Sequence, residues 1–210
     1  MINSVNDAPF LNPIGDYTVF LGSSLNATAS ATDTDLPNDT LTYSLVGAVP
    51  SGASINPATG GITWTPTVNQ AGQIYTLTVR VTDAGGLVAE RQFKVGVAYE
   101  WSNLLAPVDP DGSSVFNGNR TVPVKFQLTG ASQNITNAVA RLYVAKVTGG
   151  IIGTEFPAAS AGNSNDGNLF RLTGNHYTFN WSTKGLAAGV YQLRVDLGDG
   201  VSRAVLVTVR

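Results

Sequence analysis

The chain contains no cysteine, one histidine and one methionine among 210 residues. The missing cysteines exclude disulfides, thiolate metal centres and cysteine nucleophiles. A histidine-based triad would have to rest on His176 alone. That residue follows "TGN" at the start of a strand-like run, and no serine stands in a nucleophile-elbow context. Glutamate is equally scarce, with only Glu90, Glu100 and Glu155. Charged residues make up 12% of the chain, about half the usual share. A formal net charge of −2 gives no electrostatic footprint for nucleic acid or an anionic membrane surface. No apolar run reaches the roughly 18 residues of a membrane-spanning helix, and the opening residues do not read as a secretory leader. Together these absences argue against an enzyme.

What is present is apolar residue in quantity, 43%, spread in short alternating runs. In "IYTLTVRVTD" Tyr75, Leu77, Val79 and Val81 take one face and Thr76, Thr78, Arg80 and Thr82 the other, the mark of a half-buried strand. "RQFKVGV" repeats the pattern. "DYTVFLG", "SLNATASATD", "TLTYSLV" and "GGITWTP" supply further strands, separated by the turn signals "LPND", "PSG", "NPATGG" and "NQAG". Helical periodicity is missing throughout.

A second series begins after "AYEWSNLLAPVDPDGSS", with "TVPVKFQLTG", "ARLYVAKV", "HYTFNWS", "GVYQLRVDL" and "RAVLVTVR". Pro123 cannot donate to a ladder, which puts its strand at an edge or its start there. Residues 149–168 are small and polar and read as a surface excursion. The fold class expected is all-β, two immunoglobulin-like sandwiches in tandem, covering residues 1–97 and 98–210. The charge divides unevenly between them, −4 in the first and +2 in the second. Tyr75 in "AGQIYTL" and Tyr191 in "AAGVYQL" each suit a tyrosine corner, a phenol in the core whose hydroxyl caps a backbone carbonyl.

"VNDAP", "ATDTDLPNDTLTYSL", "PSGASINPATGGITWTPT" and "YTLTVRVTDAGGL" occur in that order over most of residues 5–97. In this they resemble the cadherin-like family, in the dystroglycan-type, Ig-like form common in bacterial surface proteins. Asp33 and Asp35 in "DTD" have the i, i+2 spacing that lets loop carboxylates point at one ion. Asp83 ends a strand before a Gly-Gly turn. Ca²⁺ takes six to eight oxygens from such groups. The resemblance implies Asn6 and Asp7 as linker ligands, Asp33 and Asp35 as paired carboxylates, Asn38 through its carbonyl, and Asp83. The full family linker reads Asp-x-Asn-Asp-Asn before Ala-Pro. "SVNDAP" lacks its first Asp and last Asn, so at most one or two weakly held ions are expected. Asp and Asn are also ordinary turn residues, and cation binding separates the two readings.

Residues 99–210 are similar to an accessory domain of secreted bacterial and archaeal proteins, known by a Pro-x-Lys-Phe motif. Here the motif is Pro123-Val124-Lys125-Phe126, accompanied by "YEWSNLLAPVD" and "YTFNWST". Alternation sends Lys125 outward from Val124 and Phe126, away from the Asn and acid partners an isopeptide bond requires. The junction near residues 97–101 lacks the "NDAP" motif and is expected to rest on apolar packing that includes Tyr99 and Trp101.

The function expected is a non-catalytic, calcium-stiffened spacer or adhesion module of a larger secreted or cell-surface protein, bacterial or archaeal. It would act as a monomer beside neighbouring domains, with a cell-surface protein or glycan as ligand. "VNDAP" then reads as the downstream half of a joint whose other half belongs to a preceding domain. The alternative is a polysaccharide-targeting module of a secreted hydrolase, resting on Trp64, Trp101 and Trp181. Asp109, Asp111 and Asp199, in "VDPDG" and "LGDG", read as turns.

Overall fold

The computed structural model describes residues 6–35 and 40–210. It is all-β, with two short 3₁₀ turns among the described residues, Val68–Gln70 and Gly130–Ser132. The chain divides into two compact units, Met1–Ala98 and Tyr99–Arg210.

The first unit has a four-stranded sheet in the order Tyr17–Phe20, Val88–Ala98, Ile74–Thr82, Thr42–Val46. Its first pair is parallel, Tyr17 opposite Val95 and Phe20 opposite Ala98; the others are antiparallel. Leu25–Thr28, Gly61–Trp64 and Ser54–Ile55 make a second sheet. The alternation in the sequence is the burial pattern. Leu77, Val79 and Val81 are buried, as are Phe93, Val95, Val97 and, from the second sheet, Leu25, Ile62 and Trp64. β-Branched residues at these alternate positions fill the space between sheets with little side-chain entropy to lose. The short pair Phe10–Leu11 with Ala31–Thr32 is anchored by Leu11, also buried. It fixes the preceding residues beside the loop that follows Thr32.

The second unit has a sheet running Val115–Phe116, Arg203–Val209, Gly189–Asp196, Arg141–Thr148, Ile151–Ile152. A smaller sheet is formed by Thr121–Phe126, His176–Ser182 and Arg171–Thr173. Pro123 lies on the edge strand of the smaller sheet, where its missing N–H costs no ladder bond. The core is aromatic. Phe126 stacks on Tyr177 with centroids 5.0 Å apart and meets Phe170 edge-on at 5.1 Å.

Residues 149–168 are less of an excursion than their composition suggests. Gly149 and Gly150 both adopt positive φ, +59° and +81°, which makes a tight two-residue reversal. Ile151–Ile152 then pairs back on Val147 and Thr148, and Phe156–Pro157 pairs with Tyr143 and Val144. The Gly-Gly hairpin signal was there to read; small polar neighbours obscured it.

Candidate functional site

The acidic residues singled out in the first half lie around one end of the first unit. Pairing of Phe10–Leu11 with Ala31–Thr32 brings Asn6 and Asp7 next to the loop at residues 33–35. Asp83 arrives directly from the strand Ile74–Thr82. Asn6 Nδ2 donates to Asp83 Oδ2 at 2.9 Å, and the amide lies so close over Gly85 that any side chain there would collide with it. Asp83 Oδ1 accepts the Leu87 N–H at 2.7 Å, closing the turn across the glycines. The Asp7 N–H donates to Asp35 Oδ2 at 2.9 Å, and Thr34 Oγ1 donates to Asp7 Oδ2 at 3.0 Å. The Asp35 N–H donates to Asp33 Oδ1 at 2.9 Å, an Asx-turn.

Hydrogen bonds therefore sort the predicted residues into two sets, Asn6 with Asp83, and Asp7 with Asp33 and Asp35. Asn38 lies outside the described residues. As placed, no three Asp, Glu or His side chains among the described residues stand together closely enough to hold one metal ion. Several of these carboxylate oxygens point instead at backbone N–H groups and at Asn6. Two features are electrostatically incomplete. None of the four carboxylates has a salt-bridge partner among the described residues. Among the described residues Asp33 Oδ2 is buried without a hydrogen-bond partner, and Asp83 is itself buried. Burying an anionic oxygen unsatisfied is costly.

The tryptophans are mostly interior. Trp64 and Trp181 are each 1% exposed. Trp64 Nε1 donates to the Ser51 carbonyl at 3.1 Å, and its ring meets Tyr75 edge-on at 5.1 Å. Neither indole presents a face on which a sugar could stack. Trp101 is half-buried; it meets Phe126 at 5.8 Å and carries the Arg203 guanidinium over its ring at 5.6 Å. The two tyrosines differ. Tyr191 Oη donates to the Ala187 carbonyl at 2.8 Å, a true corner. Tyr75 Oη donates instead to the Gln73 side chain at 3.2 Å, because Tyr75 sits at the rim against Trp64 and its hydroxyl reaches solvent. A third tyrosine passed unnoticed in the sequence. Buried Tyr177 donates to the Ile135 carbonyl at 3.0 Å and accepts the Ala138 N–H at 3.2 Å.

Sequence reasoning also missed the buried pair Asp199–Arg203. Arg203 donates from Nη1 to Asp199 Oδ1 at 2.8 Å and from Nη2 to Oδ2 at 2.7 Å. The pair grips both main-chain groups of one residue: the Tyr99 N–H donates to Asp199 Oδ2 at 3.0 Å, and Arg203 Nη2 donates to the Tyr99 carbonyl at 3.0 Å. Asp199 is fully enclosed. Burial first, then the charges of Tyr177 and Asp199, pushes the Tyr99 phenol above its ordinary value. In "LGDG" an aspartate looks like a turn residue. The signal was the arginine four residues on, at a position where alternation calls for an apolar side chain.

Residues 8–98 match a family model described as "Putative Ig domain". Among solved structures the chain is similar to extracellular domains 3–5 of Drosophila OTK, with 14% identity over 94% of this chain and 59% of that one, TM-score 0.48. It is also similar to protocadherin Gamma B2 extracellular cadherin domains 3–6, with 20% identity over 99% and 52%, TM-score 0.40. Domains EC1–3 of Drosophila N-cadherin match at 15% identity over 98% and 67%, TM-score 0.37. The chain thus spans little more than half the length of the first two. No curated protein matches it in sequence. No helix among the described residues is long and apolar enough to cross a membrane.

Proposed function

We propose that this chain is a non-catalytic spacer from an extracellular protein of a bacterial or archaeal surface, and that its first unit binds Ca²⁺ through Asn6, Asp7, Asp33, Asp35 and Asp83. The observation that carries the reading is the buried Asp33 Oδ2, which has no hydrogen-bond partner among the described residues. It sits among three more carboxylates that have no salt-bridge partner among the described residues. A divalent ion supplies the missing charge and ties the Asn6–Asp83 set to the Asp7–Asp33–Asp35 set. Ca²⁺ suits all-oxygen donors of this kind and tolerates irregular geometry better than Mg²⁺ does. Five side chains, one of them an amide, leave positions for water or for oxygens of a neighbouring domain, and weak affinity follows. With ion and carboxylates joined, the segment at Asn6 is held against the unit, and the angle of whatever adjoins it is fixed. The second unit serves as an accessory sandwich of the Pro-x-Lys-Phe type, with the chain acting as a monomer in series with its neighbours.

Thermal unfolding under a Ca²⁺ titration tests this. An ion that binds only the folded state stabilises by RT ln(1 + [L]/Kd), about 2.7 kcal/mol at a hundredfold excess over Kd. The first unit's transition should rise with millimolar Ca²⁺, respond less to Mg²⁺, and lose the effect in Asp35→Ala and Asp33→Asn. An unmoved transition, or a rise that both variants retain, would overturn the proposal.

A further inference from the structure

Two of the surface cavities of the second unit differ in character. One, about 540 Å³, is bordered by Asp166 and Arg171, and its central amide is occupied by the scaffold. Asn165 donates to the Leu169 and Thr178 carbonyls and accepts the Asn180 N–H. The other cavity, about 380 Å³, lies where the strand Thr121–Phe126 runs on into the turn at Gly130–Ser132. Its wall holds four side-chain amides, Gln127, Gln133, Asn134 and Asn175, and its lining includes no charged residue. Among the described residues none of these four amide groups has a hydrogen-bond partner. The contrast with Asn165 is direct: there an amide builds the loop, whereas here four amides are left available around one hollow.

We infer that this hollow is a binding site for a neutral oligosaccharide. Each amide presents a donor and an acceptor side by side. A pair of neighbouring sugar hydroxyls, each able to give and take one hydrogen bond, is the matching partner. An anionic ligand would find no cation in the lining, and the nearest carboxylate, that of Glu100 beside Gly130, already accepts the Ala131 N–H. Leu128 lines the same cavity but is buried, so recognition falls to the amides. The volume falls within the usual range for small-ligand sites and accommodates one or two sugar rings. Recognition through hydrogen bonds rather than stacking explains how this unit can bind a sugar although Trp181 is interior. The site is separate from the acidic residues of the first unit, and its occupancy does not depend on calcium.

The test uses the full chain in calcium-free buffer against immobilised neutral glucans, mannans and N-acetylglucosamine oligomers, with a sulfated glycan and unstructured peptides alongside. Binding by the best neutral oligomer is then measured in solution by calorimetry. Gln133→Ala and Asn175→Ala are exposed changes that leave the core untouched, and each should weaken binding about tenfold, the effect of losing one or two polar contacts. Asp166→Ala at the other cavity should leave it unchanged. Failure of every neutral glycan to bind at millimolar concentration overturns the inference. So does binding that survives the Gln133→Ala/Asn175→Ala double variant, or a preference for the sulfated glycan or the peptides.

Discussion

Replacing Arg203 by Met should unfold the second unit more readily than any surface change. The substitution keeps much of the side chain's bulk but strands Asp199. That carboxylate, wholly enclosed, would keep only the N–H groups of Tyr99 and Val201 as donors. The Tyr99 carbonyl would lose its own donor as well. Removing one partner of a buried pair typically costs about 3–5 kcal/mol. For a unit of this size that lowers the melting temperature by on the order of 10–20 °C. Asp199→Asn should cost a similar amount, since it leaves the guanidinium uncompensated. The double variant Asp199→Leu/Arg203→Met should recover some of the loss, because the two charges leave together. It would still fall short of the wild type by about 1–3 kcal/mol, because the Tyr99 and Val201 N–H groups lose the Asp199 acceptor and the Tyr99 carbonyl loses the Arg203 donor. Calorimetry on the full chain measures all three. Amide exchange at Val205 and Val207, against Val79 and Val81, assigns each transition to its unit. Losses below about 1 kcal/mol in the single variants would mean that the pair behaves as an exposed surface bridge, and losses that simply add would show the two residues to be uncoupled. Either result refutes the reasoning.

Gly60→Ala should destabilise the first unit by about 2 kcal/mol or more. Gly60 has φ of +70°, a Cβ there would collide with the Ala29 carbonyl oxygen, and L residues pay about 1–2 kcal/mol for that conformation alone; urea unfolding measures it. Tyr191→Phe should cost about 1 kcal/mol by leaving the Ala187 carbonyl without its donor, whereas Tyr75→Phe, which loses only a bond to an exposed glutamine side chain, should stay within about 0.5 kcal/mol. The second unit should also be sensitive to alkali. Burial holds the Tyr177 phenol above its ordinary value of 10.0, although the Ala138 N–H opposes it, and Tyr99 is raised likewise. A raised pKa contributes stability that is complete below about pH 10 and lost as pH climbs through the folded value. Unfolding followed by tyrosinate absorbance should begin above that pH, and Tyr177→Phe should flatten the dependence.

Strands were legible wherever one face is buried, because alternation then has a single cause. "IYTLTVRVTD" and "HYTFNWS" read directly into Ile74–Thr82 and His176–Ser182. What was not legible depends on partners distant in sequence. The difference between Tyr75 and Tyr191 lies in where each hydroxyl emerges, which the local motif does not record. Asp199 looked like a turn because its partner, Arg203, is an arginine where a strand of this pattern needs an apolar residue, and only the fold shows the two meeting around Tyr99. At the acidic end, sequence spacing brought Asp33, Asp35 and Asp83 under consideration together. The hydrogen bond from Asn6 to Asp83 spans 77 residues and has no local signature.

The parallel pairs at the sheet edges have a mechanical consequence. In the first unit Tyr17–Phe20 lies alongside Val95–Ala98, continued by the Leu21 N–H on the Ala98 carbonyl at 3.0 Å. In the second, Val115–Phe116 lies alongside Thr208–Val209, flanked by Thr208 on Ser114, Arg210 on Phe116 and Gly118 on Arg210. In both units the first of these strands leads in from the amino-terminal side and the second leads out. Tension drawn along the chain therefore pulls the two strands past each other lengthwise. Every bond across the pair is strained at once, in shear, where an antiparallel hairpin pulled from its open end would unzip bond by bond. Resistance to such a pull is a matter of unfolding rate rather than equilibrium stability, so a unit of ordinary melting temperature can still hold under load.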